Sequence, residues 1–184
     1  IHAGMHKTGT TAIQHWLRKS APADAHYFKW RRANHSDLFV LLFEENPQDH
    51  PAFADKGYTR DQALREREEE KSRIRRQIEG SDKDVFILSA ERVSAASDAG
   101  VGAMGDFFTK FFSDIQVYAY VRKPCGFMTS MFQQHLKTGR VNLSFGGLWP
   151  SYRRRLRRLF KIFSKRNVHL RSYDQLVEDR TDIV

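Results

Sequence analysis

Two short segments carry residue types suited to gripping an oxyanion. The first is Gly4-Met5-His6-Lys7-Thr8-Gly9-Thr10-Thr11, between an apolar stub at residues 1–4 and a helical stretch. Four residues separate Gly4 from Gly9, the spacing of a phosphate-binding loop. Glycines let the backbone curl so that successive N–H groups turn inward. The new helix adds free N–H groups and the positive end of its dipole. Thr10 and Thr11 can add hydroxyl donors, and Lys7 a cation. In a Walker A loop the lysine directly follows the second glycine. Here Thr10 stands there and Lys7 lies two residues before Gly9, so the cation is held over a different part of a phosphate chain. The second segment is Arg122-Lys123-Pro124, at the end of a strand-like run, with Ser130 eight residues after Arg122. The forked guanidinium of Arg suits a phosphate. The plainer reading is an Arg paired with a surface carboxylate and a Ser that is merely small.

These segments need a scaffold to bring them together. Residues 10–19 read as a helix. Residues 20–58 are mixed, with Pro22, Pro47 and Pro51 as breakers and an apolar run at 38–43. Thr59-Arg60-Asp61-Gln62 has the form of a capping box. It predicts a highly charged helix that runs to Glu79 and stops at Gly80. The apolar stripe of that helix (Leu64, Ile74, Ile78) is thin, so most of it should face solvent. Residues 85–88 suit a buried strand and 101–113 a helix. Residues 115–121 are rich in β-branched and aromatic side chains and read as a strand. Pro124 suits the first position of a helix running to Lys137. Ser151 can cap a helix that reaches Lys165, and residues 168–173 form a last strand. Strands separated by helices predict an α/β, three-layer P-loop fold in a single domain, residues 1–184. Its parallel sheet should have at least four strands and carry helices on both faces. In such sheets ligands bind at the carboxyl ends of the strands. That puts the residues after Gly4, Leu88, Val121 and Tyr173 on one rim.

Together, KTGTT at Lys7–Thr11 and RKPCGFMTS at Arg122–Ser130 resemble the sulfotransferases that use 3′-phosphoadenosine 5′-phosphosulfate (PAPS). The segment VHLRSYDQL, residues 168–176, is similar to that family's later strand and the turn after it. The resemblance implies that Lys7, Thr8, Gly9, Thr10 and Thr11 bind the 5′-phosphosulfate and that Arg122 and Ser130 bind the 3′-phosphate. It implies sulfuryl transfer to an acceptor hydroxyl, a carbohydrate hydroxyl being one class, with adenosine 3′,5′-bisphosphate as the product. The chemistry parallels phosphoryl transfer, in which positioning and charge stabilisation dominate. Lys7 would stabilise charge on the bridging oxygen, and the good leaving group requires no metal. The family's base is a His or Glu soon after a central strand, which makes Glu91 the first candidate. The plainer role for Glu91 is pairing with Arg92. His135 is the second candidate and His6 the third. Variable segments, here residues 21–58 and 141–150, would build the acceptor pocket. The resemblance also implies a later basic, glycine-bearing loop, and no copy of it stands before Val184. A P-loop nucleoside kinase or nucleotide hydrolase is the alternative enzyme. The displaced lysine and the lack of a Mg²⁺-holding acid after a strand argue against it. A polyanion-binding module with a vestigial nucleotide site is the non-enzymatic alternative.

Composition sets the outer limits. The chain has 184 residues, 40% hydrophobic and 12% aromatic, enough for one domain with a real core. That composition excludes a mainly disordered chain. The single cysteine, Cys125, excludes an internal disulfide and a thiolate cluster. Thirty-one Lys and Arg against 22 Asp and Glu give a net charge of +9, which favours an anionic partner. Residues 151–166 hold eight Lys and Arg and no acid, which leaves +1 for the rest. Tyr152, Leu156, Leu159, Phe160 and Phe163 fall on one face of that segment, so it reads as an amphipathic helix with a basic back. The back could attract a sulfated glycan, an acidic lipid surface or nucleic acid. Nucleic acid ranks last, because no aromatic stacking surface accompanies the charge. No apolar stretch long enough to span a membrane and no signal segment is seen, so a cytoplasmic location is favoured. The chain opens like the tail of a strand and is expected to be trimmed at both ends.

Overall fold

The structure, a computed structural model, describes residues 1–139 and 144–179. Part of the expected acceptor segment, residues 141–143, lies outside them. In chain order the elements are α1 (Thr10–Ser20), β1 (Ala25–Tyr27), α2 (Ser36–Phe43), α3 (Pro51–Ala54), α4 (Arg60–Glu79) and β2 (Val85–Ile87). There follow α5 (Asp98–Phe108), β3 (Val117–Val121), α6 (Pro124–Lys137), α7 (Phe145–Leu148), α8 (Tyr152–Phe163), β4 (Val168–Ser172) and α9 (Tyr173–Glu178). Short 3-10 turns lie at Pro47–Asp49, Glu91–Ala95 and Lys165–Asn167.

The strands are parallel, as an alternation of strand and helix requires. They do not form the expected sheet of four or more. Among the described residues, β1 pairs with β2 and β3 with β4, as two two-stranded sheets. His2 stands between the pairs, with one parallel bridge to Ser89 and one to Tyr118. Its N–H donates to Leu88 O at 2.8 Å, and Ala90 N–H donates to His2 O at 2.9 Å. On the other side Ala3 N–H donates to Tyr118 O at 2.8 Å. Among the described residues His2 links the two pairs by single bridges and not by a ladder. The segments after Ala3, β2, β3 and β4 nevertheless leave from the carboxyl end of parallel backbone.

The capping box forms: Gln62 N–H donates to Thr59 Oγ1 and Thr59 N–H to Gln62 Oε1, at 3.3 and 2.9 Å. Gly80 ends the helix. Within it Ala63 and Ile74 are buried, whereas Leu64, expected in the stripe, is exposed. The run 38–43 is a helix buried on every side, because α2 packs against α4, α5 and the turn at Glu91–Ala95. The helix expected at 101–113 begins earlier, at Asp98, since Ser97 Oγ accepts from Gly100 N–H at 2.8 Å. It ends at Phe108, where Phe111 and Phe112 turn in to pack on the core. Ser151 precedes α8 but does not cap it. Its backbone is left-handed (φ 49°) and its side chain makes no cap hydrogen bond. Leu156, Leu159 and Phe163 of α8 are buried, with Tyr152 and Phe160 packed beside them. No helix among the described residues is long and apolar enough to cross a membrane.

Candidate functional site

The loop at residues 4–9 is shaped by packing and by two left-handed residues. Gly4 has no room for a side chain: a Cβ there would overlap the Thr10 methyl and lie 2.9 Å from His2 Nε2. Gly9, just before α1, has φ 72°, a conformation glycine adopts without strain. Lys7 has φ 67° although it carries a side chain, which is strained backbone of the kind found at binding sites. The N–H groups of Lys7, Gly9, Thr10 and Thr11 meet no acceptor among the described residues. They form a cluster of free donors at a helix start, the arrangement that binds anions.

The hydroxyls divide. Thr8 is fully buried and donates to Met5 O at 2.7 Å, so it closes the loop on itself. Thr10 is buried and donates to Glu91 Oε1. Thr11 is exposed. Lys7 Nζ donates to Gln134 Oε1 of α6 at 2.7 Å, which anchors the cation on that helix. Gln134 was not among the expected site residues; its place on the helix after Arg122 is the only sign of it in the sequence.

Arg122 follows β3, as expected, and faces the loop. Its Nη1 lies 3.4 Å from Lys7 O, its guanidinium stacks over Tyr173, and its Nε is 3.8 Å from Asp174 Oδ1. That last separation is an ion pair longer than a hydrogen bond. Tyr152 of α8 donates its hydroxyl to Arg122 O and fixes the strand end. Ser130 is half-buried in the second turn of α6, and its hydroxyl makes no hydrogen bond among the described residues. Tyr152, Tyr173 and Asp174 come from α8 and α9, and only the fold brings them beside Arg122.

Two of the three acid–base candidates meet. His6 Nδ1 lies 2.6 Å from Glu91 Oε2, while Thr10 holds Oε1. The carboxylate therefore pairs with the loop and not with Arg92. Burial pushes the Glu91 carboxyl up. The hydrogen bonds from His6 and Thr10, with the nearby charge of His6 and His2, outweigh it, so the net shift is downward. Glu91 is thus held as a carboxylate, an acceptor that fixes the proton of His6 on Nδ1 and leaves Nε2 as the basic nitrogen. The His6 side chain is 42% exposed, so that nitrogen can reach solvent or substrate. His135 stands apart: its Nδ1 is buried without a partner among the described residues, and it bonds to neither Glu91 nor His6. A cavity of about 790 Å³ runs along β2 and β3, lined by Val85, Ile87, Tyr118 and Tyr120 and by Phe111 and Phe112. It touches neither the loop nor Glu91 nor Arg122.

The comparison with solved structures identifies the architecture. The chain matches a sulfotransferase from Alicyclobacillus acidocaldarius with a TM-score of 0.59, over 97% of this chain and 74% of that one, at 15% identity. The fold is a sulfotransferase fold. No family model and no curated protein matches the sequence. Within the sulfotransferase fold, the loop at residues 4–11, Glu91, and Arg122 with Tyr173 lie at the carboxyl ends of neighbouring parallel segments.

Proposed function

We propose that the protein is a sulfotransferase that moves a sulfuryl group from PAPS to an acceptor hydroxyl, a carbohydrate hydroxyl being one class. The observation that carries this reading is convergence. A loop of free N–H groups with Lys7, the guanidinium of Arg122 and the His6–Glu91 pair share one rim of a sulfotransferase fold. PAPS supplies the sulfuryl group through its phosphosulfate anhydride. The N–H groups of Gly9, Thr10 and Thr11 would hold the 5′-phosphate, and Arg122 with Ser130 the 3′-phosphate. Lys7 would neutralise the negative charge that grows on the bridging oxygen as its bond to sulfur breaks. His6 Nε2 would accept the acceptor's proton as its oxygen bonds to sulfur, and Glu91 would stabilise the imidazolium so formed. The two carboxylate oxygens of Glu91 are already engaged, which favours this division of labour over direct proton removal by Glu91.

Replacing Lys7 by alanine tests the reading. Transfer should fall by about a hundredfold or more, because a cation placed on developing charge acts in the transition state. Affinity for adenosine 3′,5′-bisphosphate should fall much less. Equal losses in turnover and in bisphosphate binding would remove Lys7 from the role assigned to it.

A further inference from the structure

The arginines of α8 differ in their surroundings. Arg153, Arg154 and Arg157 are exposed. Arg158 has a counter-charge, its Nε standing 3.6 Å from an Asp98 carboxylate oxygen. Arg155 has none: its Nε and Nη1 are buried and meet no acceptor among the described residues. Arg92 is in the same state, with a buried Nε that lacks an acceptor. The two belong to elements in contact, because α8 packs against the turn at Glu91–Ala95. Burial, then the charges of Arg154 and Arg158, and Arg92 as well, push the Arg155 guanidinium down. Two carboxylates of the same neighbourhood are already committed. Asp37 and Glu44 share with Arg92 the surroundings of His50. Asp37 pairs with Arg32 at 3.2 Å, and Glu44 accepts from Ser97 N–H and Oγ at 3.0 and 2.6 Å.

Two cations on contacting elements, each with a buried donor that meets no acceptor among the described residues, are unfavourable unless an anion completes them. Their place indicates which anion. Arg92 follows Glu91 in the chain, and Tyr152, one turn before Arg155, donates to the carbonyl of Arg122. We propose that Arg92 and Arg155 form an oxyanion-binding subsite beside the transfer site, which takes a sulfate, phosphate or carboxylate group carried by the acceptor. That the anion belongs to an acceptor rests on the sulfotransferase reading; that the pair binds an oxyanion does not. The donors that matter are buried, so the subsite is distinct from the exposed basic back of α8.

The test is calorimetric titration of the whole chain with inorganic sulfate, with saturating adenosine 3′,5′-bisphosphate present to fill the nucleotide site. Sulfate should still bind. Arg155→Gln and Arg92→Gln should each weaken it by about tenfold or more, as loss of a charge-assisted hydrogen bond does. Arg153→Gln and Arg157→Gln, exposed on the same helix, should change it by less than about twofold. Unchanged bisphosphate affinity shows that a variant is folded. If Arg155→Gln does not fold, Arg155→Lys keeps the charge, loses the fork and should still weaken sulfate by about threefold or more. Absence of sulfate binding to the bisphosphate-loaded protein would overturn the subsite. So would equal losses in Arg153→Gln and Arg155→Gln, which would mean diffuse surface charge. If the bisphosphate does not bind at all, the sulfotransferase reading fails, and the same sulfate titration without it still decides the subsite. In turnover, an acceptor bearing a sulfate ester should be preferred to its neutral parent, and Arg155→Gln should abolish that preference. A preference that survives the substitution places the anion elsewhere.

Discussion

Replacing Gly4 by alanine would show how closely the anion loop depends on the groups beneath it. The added Cβ would come well inside 3.0 Å of Thr10 Cγ2, and stand 2.9 Å from His2 Nε2 and 3.2 Å from His2 Cε1. Neither neighbour is free to swing away. Thr10 is 3% exposed with its hydroxyl held on Glu91, and His2 is 7% exposed with Nδ1 2.7 Å from Ser89 Oγ. Overpacking by one methyl costs about 1–3 kcal/mol. Losing the Thr10 hydrogen bond to a charged carboxylate adds about 1.5–3 kcal/mol. The sum, about 2.5–6 kcal/mol, corresponds to a drop in Tm of roughly 5–24 °C for a domain of this size. Thermal melting followed by circular dichroism, at one heating rate, measures it. Thr10→Ser removes the methyl that clashes and keeps the hydroxyl. The double variant Gly4→Ala/Thr10→Ser should therefore recover at least about 1 kcal/mol relative to additivity. Recovery stays incomplete because the His2 contact persists. A Gly4→Ala melt within about 2 °C of the parent, or strict additivity of the two substitutions, would refute the reasoning.

Two other outcomes are expected. His2 and His35 both rest on Ser89, through its hydroxyl and its N–H, and burial pushes each imidazole down to about 4. Their folded pKa values lie below the unfolded value of about 6.5. The stability they contribute is therefore present above about pH 6.5 and lost as pH falls towards 4, at up to about 3 kcal/mol each. The urea midpoint should hold above pH 7 and decline across that window, and a constant midpoint from pH 7 to pH 4.5 would contradict it. Arg122→Ala should weaken nucleotides with a 3′-phosphate by about tenfold or more while sparing those without one; equal weakening of both would displace Arg122 from the 3′-phosphate.

What the sequence reveals and what it hides follow a physical line. Local chemistry is legible: the capping box at Thr59–Gln62, Pro124 at the first turn of α6 and the glycine pair around Lys7 all act within a few residues. Strand β1 was not legible, since Ala25-His26-Tyr27 is too short for periodicity and is defined by pairing with β2 sixty residues later. The apolar run 38–43 carries no period because α2 is buried on every side. The rim rule expects Lys7 and Arg122 on one edge, and the structure brings Arg122 Nη1 to 3.4 Å from Lys7 O. The link between His6 and Glu91 spans 85 residues, and nothing local signals it. The inward turn of the Thr8 and Thr10 hydroxyls was hidden for a related reason. A hydroxylated loop suggests donors for a ligand, and only three-dimensional packing tells which are used by the protein itself.

The central claim, that the rim binds a nucleotide with phosphates at both its 3′ and 5′ positions, is tested most directly by titration calorimetry. Adenosine 3′,5′-bisphosphate should bind at one site per chain and more tightly than ATP–Mg²⁺. A preference for ATP–Mg²⁺ would contradict the account and favour a nucleotide kinase or hydrolase.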